Sequence, residues 1–460
     1  MSTRPSCSAL LVCVCAVVLS TPTHAEVGAG EARVGLHDST GWGSCYESTV
    51  DDDGAQRFAV AWSRRSTRMG AIECAVLQHG RTTGITVHHV TNRRDGVVDV
   101  RPAIAWADDS TLVLAWQRNQ GPRSRILARF LTPGGKPLGD EITLGDTLVA
   151  AMSPDLRRDG DGSVLVVWQQ GSRWSAARIV RPASARLATD GPPQPGATVA
   201  SPVSFEAAPA GGIPPPSSPI PPSSPIPLPP SPILHGVPTL ARGGTDASLL
   251  FGAENGLGVW SFVARRLLPG GGVREVLVDS AQAKDMTIIG RAAMLGAGLG
   301  VFVWKDYRRG NSDIFLRVLA GDDGRLSPAV RVNRDTADRW QRLPDVDVWR
   351  GGAMVCWEDY RNTDGNQRGD IYARAFTRRE LEALGRRGSR GIDDRGHDLR
   401  ISEGDARLKR KHPRIALAPD GRGLVVWYQE SPTGLTVHGR WLSAGREAGA
   451  EAFEIGGSAR

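Results

Sequence analysis

One sequence pattern occurs twice in this chain, and it limits the possible folds more than any other feature. The stretch FVWKDYRRGNSDIFLR begins at Phe302, and MVCWEDYRNTDGNQRGDIYAR begins at Met354. Both contain Trp-x-Asp-Tyr-Arg, then a polar turn, then Asp-Ile, an aromatic residue, any residue and Arg. An apolar run, a turn and a second short run are typical of a β-hairpin. The chain therefore repeats a unit of antiparallel strands.

The last residue of each strand-like apolar run extends this repeat along the chain. Runs such as GVFVW and GLVVW end at seven marker residues: Trp62, Trp116, Trp168, Phe251, Trp304, Trp357 and Trp427. The steps between them are 54, 52, 83, 53, 53 and 70 residues, and the two long steps contain insertions. Each unit predicts four strands, A to D, with B ending at the marker. We interpret the markers as the structural core of the repeat.

Two further residue types recur in the same register. A proline lies 13 or 14 residues before the marker in five units: Pro102, Pro154, Pro238, Pro344 and Pro413. We expect it to be the first residue of strand A, where no ladder donor is needed. An arginine recurs in strand C: Arg129, Arg178, Arg265, Arg317, Arg374 and Arg440. A residue repeated in this way indicates a repeated packing role.

A ring of such units explains the regular period. One four-stranded sheet cannot bury both of its faces alone, whereas radial repetition buries them and leaves only short edges. The sequence therefore predicts an all-β fold, a seven-bladed β-propeller of four-stranded antiparallel blades. Separate sandwiches would need linkers, for which the spacing leaves little room. ARVGLH near Val34 and EAFEIG near the C-terminus both match strand D, so one is expected to complete the last blade.

The N-terminus has the pattern of a signal peptide. Arg4 precedes the apolar run SALLVCVCAVVLS, and THA ending at Ala25 suits cleavage after Ala25. We expect a secreted or periplasmic protein with no transmembrane segment, because this run is too short to span a bilayer. The remaining cysteines are Cys45, Cys74 and Cys356. Their odd number leaves at least one free or paired with another molecule.

The composition divides the rest into one propeller domain with two insertions. We expect blades 1–3 in residues 26–191 and blades 4–7 in residues 238–460. Residues 192–237 are rich in Pro and Ser, a composition that favours a disordered, extended spacer, or alternatively a ligand for proline-binding domains. The second insertion, TRRELEALGRRGSRGIDDRG, predicts a short helix near residues 377–395, since two of its leucines are at helical spacing.

The candidate binding residues lie in loops that share one face. In an antiparallel blade the B–C and D–A connections are on the same side, which we call the loop face. In Trp-x-Asp-x-Arg the three side chains point to one side of a strand, so they can pin the turn or form a polar binding cluster. Loop tryptophans can stack on sugar rings or cap the core. The candidates are Asp306, Arg308, Asp359, Arg361, Trp340 and Trp42.

The repeats resemble those of the sialidase-like, or BNR-type, β-propellers exported by bacteria, with units of the form VVWxDxRxGxxDIYAxR. The clearest matches are Trp304–Arg317 and Trp357–Arg374. The resemblance implies a propeller and, in catalytic members, an arginine triad, a Tyr–Glu nucleophile pair and an Asp acid/base. The family's Arg-Ile-Pro motif is absent, and AGDDGRLS has Ala320 where an Asp box carries Ser or Thr. We therefore expect a non-catalytic or divergent member.

No other motif names a chemistry. The sequence has no G-x-S-x-G, H-E-x-x-H, P-loop or C-x-x-C, so we expect no metal and no cofactor. The formal net charge of +7 is a mild bias over 460 residues and does not indicate nucleic-acid binding. The favoured hypothesis is a monomeric, exported scaffold that binds a glycan or protein partner through the loop face. The alternatives are a divergent glycoside hydrolase or lyase, with Asp306 and Asp359 as paired acids, and an envelope-assembly component that uses the Pro-rich loop.

Overall fold

The structure is a computed structural model, and it describes part of the chain. The described residues are 49–65, 70–92, 94–158, 163–171, 173–180, 238–242, 249–256, 259–267, 273–282, 286–296, 298–307, 310–320, 325–335, 339–362, 368–387, 397–404, 408–431, 434–443, 447–448 and 452–457. Trp42, Cys45, Arg308, the predicted signal peptide, ARVGLH and the Pro-rich insertion lie outside them.

The described chain is all-β apart from one helix, and its strands pair into six sheets. The first contains β1 (Thr49–Asp52), β2 (Arg57–Arg65), β3 (Gly70–Gln78), β4 (Val87–His89), β5 (Val97–Asp108), β6 (Thr111–Gln120), β7 (Arg123–Leu131) and β8 (Pro137–Leu144). The second contains β9 (Ala151–Arg158), β10 (Val164–Gln170) and β11 (Arg173–Ile179). The third contains β12 (Thr239–Leu240), β13 (Leu249–Gly256), β14 (Val259–Leu267) and β15 (Val273–Gln282).

The other three sheets follow in chain order. The fourth contains β16 (Met286–Leu295), β17 (Leu299–Asp306), β18 (Asp313–Ala320), β19 (Arg325–Leu326) and β20 (Val330–Arg331). The fifth contains β21 (Gln341–Trp349), β22 (Gly352–Asp359), β23 (Asp370–Thr377) and β24 (Leu399–Arg400), with helix α1 (Arg378–Arg387) between the last two. The sixth contains β25 (Lys409–Leu417), β26 (Gly423–Ser431), β27 (Gly434–Ser443), β28 (Glu447–Ala448) and β29 (Phe453–Gly457).

The sheets have the arrangement of propeller blades. Within each unit the strands pair in the order in which they occur in the sequence, and the first is innermost. Each innermost strand contacts the innermost strand of the next unit, and the last contacts the first. The successive strands of this inner ring are β1, β5, β9, β12, β16, β21, β25 and again β1. The predicted all-β propeller architecture is confirmed.

The blade count differs from the predicted seven. Sheets of four or more strands number five in the described chain. The first sheet merges two predicted blades, since Gly70 of β3 pairs in parallel with Val98 of β5. A Cβ at Gly70 would lie 2.8 Å from the Asp99 carbonyl oxygen, so glycine permits this close approach. The second sheet has three described strands, β9 to β11.

The recurring proline lies inside strand A, and the expectation that it begins the strand is wrong in four units. Pro102, Pro154, Pro344 and Pro413 each follow a residue with positive φ, between 48° and 57°. At each site two residues of strand A stand opposite a single residue of strand B, which is the marker tryptophan. The proline is therefore part of a β-bulge, where the missing N–H breaks no ladder bond.

The free inner edge of the ring is satisfied by side chains of the preceding unit. Four carboxylates, which we call the axial carboxylates, each accept a hydrogen bond from a backbone N–H of the next inner strand. The pairs are Asp51 with Trp106 (2.9 Å), Asp155 with Leu240 (2.8 Å), Asp345 with Ile415 (3.0 Å) and Asp347 with Leu417 (2.8 Å). Unpaired strand amides would otherwise be left in the interior, so these contacts join neighbouring units and complete the edge.

Two arginines of the inner ring, on β16 and just after β12, face these carboxylates. The guanidinium of Arg242 donates to the Ile415 carbonyl and lies 3.7 Å from Asp345 Oδ2. Arg291 Nε lies 3.7 Å from the other oxygen, Asp345 Oδ1. Arg242 follows β12, whereas Asp345 and Ile415 belong to β21 and β25. This one side chain therefore connects three units across the axis.

The strand-C arginines join neighbouring units further from the axis. In four units the guanidinium donates to a carbonyl at the outer strand of the preceding unit. The pairs are Arg129 with Val90 (3.1 Å), Arg317 with Val278 (2.5 Å), Arg374 with Val332 (2.8 Å) and Arg440 with Ile401 (2.8 Å). The repeated arginine thus has a repeated structural contact.

The seven markers are buried, with exposed fractions of 2% or less. They lie in apolar clusters between neighbouring sheets, as when Trp357 packs with Val301 and Val303 of the preceding unit. Cys74 and Cys356 are free thiols, and both are buried. Burial raises the pKa of Cys74 to about 12. Both thiols therefore stay protonated at neutral pH and are poor nucleophiles.

Strand β29 (Phe453–Gly457) overlaps the predicted segment EAFEIG and pairs antiparallel with β27 of its own unit. The junction between the last and first units rests on side chains. Phe58 and Trp441 rings are 5.3 Å apart edge to face, and Trp441 Nε1 donates to the Arg81 carbonyl at 3.0 Å. In the described chain the ring therefore closes without exchanging a strand between its ends.

Helix α1 lies in the second insertion, between strands C and D of the fifth sheet. Thr377 and Glu380 form a capping box, with the Thr377 N–H donating to Glu380 Oε2 at 2.6 Å and the Glu380 N–H to Thr377 Oγ1 at 3.3 Å. Leu381 and Leu384 are 1% exposed and pack into the core cluster of β18 and its neighbours. Within the described residues, no helix is long and apolar enough to cross a bilayer.

Candidate functional site

The two aspartates of each repeated motif stand opposite each other across the B–C turn. Asp306 is the register partner of Asp313, and Asp359 is that of Asp370. The first aspartate of each motif accepts a hydrogen bond from the marker indole. Trp304 Nε1 donates to Asp306 at 3.2 Å, and Trp357 Nε1 donates to Asp359 at 2.7 Å. Both carboxylates are 1% exposed, so they act inside the turn.

Arg361 pins the turn of the second motif. Its Nε and Nη2 reach the two oxygens of Asp359 at 2.9 and 2.6 Å, a bidentate pair. Nη2 also donates to Asp398 at 2.6 Å, and the guanidinium lies 4.2 Å from the Tyr372 ring centroid. Asp335 is a further carboxylate at 3.7 Å. This guanidinium is held by three carboxylates and an aromatic ring, which is a structural role.

The second aspartates connect the turn to other strands. Asp370 binds Arg410 of the next inner strand at 2.9 Å and Arg400 of β24 at 2.8 Å. Asp313 accepts a hydrogen bond from Asn333 Nδ2 at 2.9 Å. The motif therefore ties strands B, C and D of one unit to the next unit.

The remaining predicted binding residue, Trp340, lies at the loop face beside residues that the sequence did not single out. Its side chain is 36% exposed. The guanidinium of Arg342 lies 3.9 Å from the Trp340 ring centroid and 5.3 Å from that of Tyr360. Arg342 Nε is buried and has no hydrogen-bond partner. Arg342 is thus held mainly by aromatic faces, an arrangement worth about 0.5–2 kcal/mol per contact.

A second cation lies close to this group on the neighbouring unit. Lys305 Nζ donates to the Tyr307 hydroxyl at 3.0 Å and lies 4.7 Å from the ring centroid. Burial lowers the pKa of Lys305, and the nearby charge of Arg342 lowers it further. We call Lys305, Tyr307, Trp340, Arg342 and Tyr360 the loop-face cluster. It brings two cations and three aromatic rings together at the junction of the fourth and fifth sheets.

The carboxylate next to this cluster is already engaged. Glu358 Oε2 accepts a hydrogen bond from the Tyr360 hydroxyl at 3.1 Å, and Oε1 accepts one from the His412 N–H at 2.6 Å. Glu358 is 2% exposed. Burial raises the pKa of Tyr360 well above its usual range, and the charge of Glu358 adds to this. The phenol therefore stays protonated and is a fixed donor to Glu358, while the Glu358 carboxylate links the fifth sheet to the sixth through the His412 N–H.

The carboxylates beside the loop-face cluster are engaged within the fold. A general acid or base must reach its substrate, whereas Asp306, Asp359 and Glu358 are buried and hydrogen-bonded. Within the described segments, no three His, Cys, Asp or Glu side chains are placed to hold a metal ion. Partly exposed aromatic and cationic side chains instead offer stacking and charge to a ligand.

Sequence reasoning missed Lys305, Arg342 and Tyr360, although a signal was present. Arg342 is two residues beyond Trp340, so the two point to the same side of an extended chain. Tyr307 and Tyr360 are the tyrosines of the two Asp-Tyr-Arg motifs. The repeated tyrosine was visible, but its contacts depend on how two units meet.

No family model matches the sequence, and no curated protein matches it. Solved structures do match at low identity. A protein of unknown function from Dyadobacter fermentans is 12% identical with a TM-score of 0.40, over 77% of this chain and 97% of its own. Trypanosoma rangeli sialidase is 8% identical with a TM-score of 0.42, over 88% of this chain and 55% of its own. An α-L-arabinanase of Penicillium chrysogenum, complexed with arabinobiose, is 10% identical with a TM-score of 0.38, over 77% and 80%.

Proposed function

We propose that this chain is an exported, non-catalytic β-propeller of seven blades that binds a glycan or a protein partner through its loop face. Export rests on the signal-like pattern that ends at Ala25. Seven blades are supported by the seven innermost strands that contact one another in a closed order. The merged first sheet divides into two four-stranded antiparallel units, which a single parallel residue pair joins.

The loop-face cluster is the observation that carries the binding function. Trp340 is among the few large apolar side chains that are exposed in the described chain. It is held in place by Arg342, which stacks on it at 3.9 Å. A rigid aromatic surface with adjacent cations costs little conformational entropy when a ligand binds, and such residues are enriched at binding hot spots.

The test is retention of ligands by the purified protein, expressed from its full coding sequence. The intact mass first reports whether residues 1–25 have been removed. The protein is then passed over arrayed glycans and polysaccharides, and mass spectrometry of the eluate reports any released product. We expect retention without product. Trp340→Ala should lose retention, because it removes the exposed ring, while the protein stays folded and loses no more than about 2 kcal/mol in the free energy of unfolding.

Leu277→Ala is the matched control, since Leu277 is 55% exposed on β15 and not in a loop. It should retain the ligand as the parent does. Product that disappears in an Asp306→Asn, Asp359→Asn double variant would make the protein an enzyme and overturn the non-catalytic proposal. If glycans are not retained, Trp340→Ala and Leu277→Ala are compared for their capture of protein partners. Equal capture by both would remove the role of Trp340.

A further inference from the structure

Two axial carboxylates on one strand have different surroundings. Asp345 and Asp347 both lie on β21, both are buried, and each accepts an N–H of β25. Asp345 has a guanidinium 3.7 Å from each of its oxygens, Arg242 on one side and Arg291 on the other. Within the described residues, no guanidinium or ammonium group lies within ion-pair distance of Asp347, and Arg242 acts on it only at longer range. The two carboxylates thus make the same kind of hydrogen bond, but guanidinium groups lie close enough to balance the negative charge only at Asp345.

Asp51 lies on β1 of the first unit, and the surroundings of its carboxylate are like those of Asp347. Its carboxylate accepts the Trp106 N–H at 2.9 Å. The charged groups that face it are Arg242, Arg157 and the neighbouring Asp52. Those that face Asp347 are Arg242, Asp345 and Asp52. Arg242 is therefore shared among several carboxylates, so its single charge cannot neutralise them all.

We propose that two of the axial carboxylates, Asp51 and Asp347, form a proton-linked latch, which holds the inner strands most firmly in mildly acidic solution and loosens as the pH rises through neutrality. A protonated carboxyl group still accepts the strand N–H through its carbonyl oxygen, and it no longer places an uncompensated charge in the interior. The ionised group keeps the hydrogen bond but carries the desolvation cost. The latch concerns the junctions that these residues bridge, β1 with β5 and β21 with β25.

The direction of the pH effect follows from proton binding. Burial raises the pKa of Asp51 from 3.8 to about 6 and that of Asp347 from 3.8 to about 7. At a pH above 3.8 and below these raised pKa values, the folded protein keeps the protons of Asp51 and Asp347, whereas the unfolded chain has released them. Stability therefore falls as the pH rises from about 4 to about 8, through both folded-state pKa values, and these two groups add little further change above that range.

The test measures urea unfolding of the full chain at pH 5 and pH 8. We expect the unfolding equilibrium constant to be larger at pH 8 by at least about tenfold. Asp347→Asn keeps an oxygen that can accept the Leu417 N–H and lacks the charge, so its pH dependence should shrink. Asp345→Asn is the matched control. It removes the charge that faces Arg242 and Arg291, so it should lose stability at both pH values. Because the charge of Asp345 also raises the pKa of Asp347, the pH dependence should shrink, but less than in Asp347→Asn.

Hydrogen exchange of the parent protein gives a second measurement, which does not depend on a variant that folds. After correction for intrinsic exchange, protection of the Leu417 amide should fall between pH 5 and pH 8. Protection of the Ile415 amide, which Asp345 accepts, should fall less. Equal losses at both amides, or an Asp347→Asn variant with the parent's pH dependence, would overturn the latch.

Discussion

The inner ring and the loop face both carry many charges, but the charges are arranged differently. At the inner ring each axial carboxylate accepts a strand N–H, and Arg242 donates to a carbonyl. At the loop face, Arg342 rests on two aromatic rings and its Nε has no hydrogen-bond partner. Charges at the inner ring complete the backbone of the fold. At the loop-face cluster the charge of Arg342 is held by aromatic faces instead of by backbone groups, and the proposed binding role rests on this difference.

The largest effect is expected at the inner ring from Arg242→Met. The change removes a guanidinium that the carboxylates of several units share, and it leaves their charge uncompensated in the interior. We expect a loss of about 3 kcal/mol in the free energy of unfolding. Urea unfolding at pH 7 measures it. Arg386→Met on α1 is the control, because that arginine is 65% exposed and lies 3.7 Å from Glu382. It should change stability by less than about 1 kcal/mol. Equal effects of both variants would remove the distinction between the two regions.

A smaller loss of stability is expected from Asp359→Asn, which tests whether the repeated motif belongs to the fold or to the binding surface. It breaks a buried bidentate pair and should cost about 2 kcal/mol by urea unfolding. The control is Asp420→Asn, since Asp420 and Arg422 have the same spacing and pairing but are 50% and 30% exposed. That variant should lose less than about 1 kcal/mol. Loss of ligand binding by Asp359→Asn with unchanged stability would place the motif among the binding residues.

The smallest effect on stability is expected from Arg342→Met at the loop face. The methionine can still pack on Trp340 and Tyr360, so only the cation–π part of these contacts is lost and the free energy of unfolding should fall by about 1 kcal/mol. The affinity for the ligand that the parent retains should fall about tenfold or more, because the cation is lost. Binding is measured by calorimetry beside Arg378→Met, an exposed arginine of α1. A large loss of stability with unchanged affinity would show that Arg342 belongs with the structural charges.

The repeat predicted the strand framework, because its signal is local. The apolar run before each marker is long enough to specify strand B, and all seven markers are buried. The axial carboxylates were missed although two of them directly follow the recurring proline, as Asp155 and Asp345 do. Their partners lie 85 and 70 residues further along the chain. A pattern within one repeat gives no information on which backbone groups the next repeat leaves unpaired.

The proline shows a second limit of the sequence. Pro344 was expected to begin strand A, since a proline cannot donate to a ladder. The strand in fact begins at Gln341 and accommodates the proline in a bulge opposite Trp357. Neither a bulge nor the first residue of a strand needs a backbone N–H donor for the ladder, so a proline in the sequence does not distinguish the two. The large side chain opposite the extra residue becomes visible only when the register is known.

The C-terminal strand β29 completes the unit that contains β25 to β27, and β1 to β4 likewise come from one continuous stretch. Each described unit is therefore encoded by an uninterrupted piece of sequence. A gene rearranged to begin at another D–A connection, with the original ends joined, would encode the same strand pairs. Such circular permutants should fold as the parent does, and lengthening by duplication would proceed one whole repeat at a time.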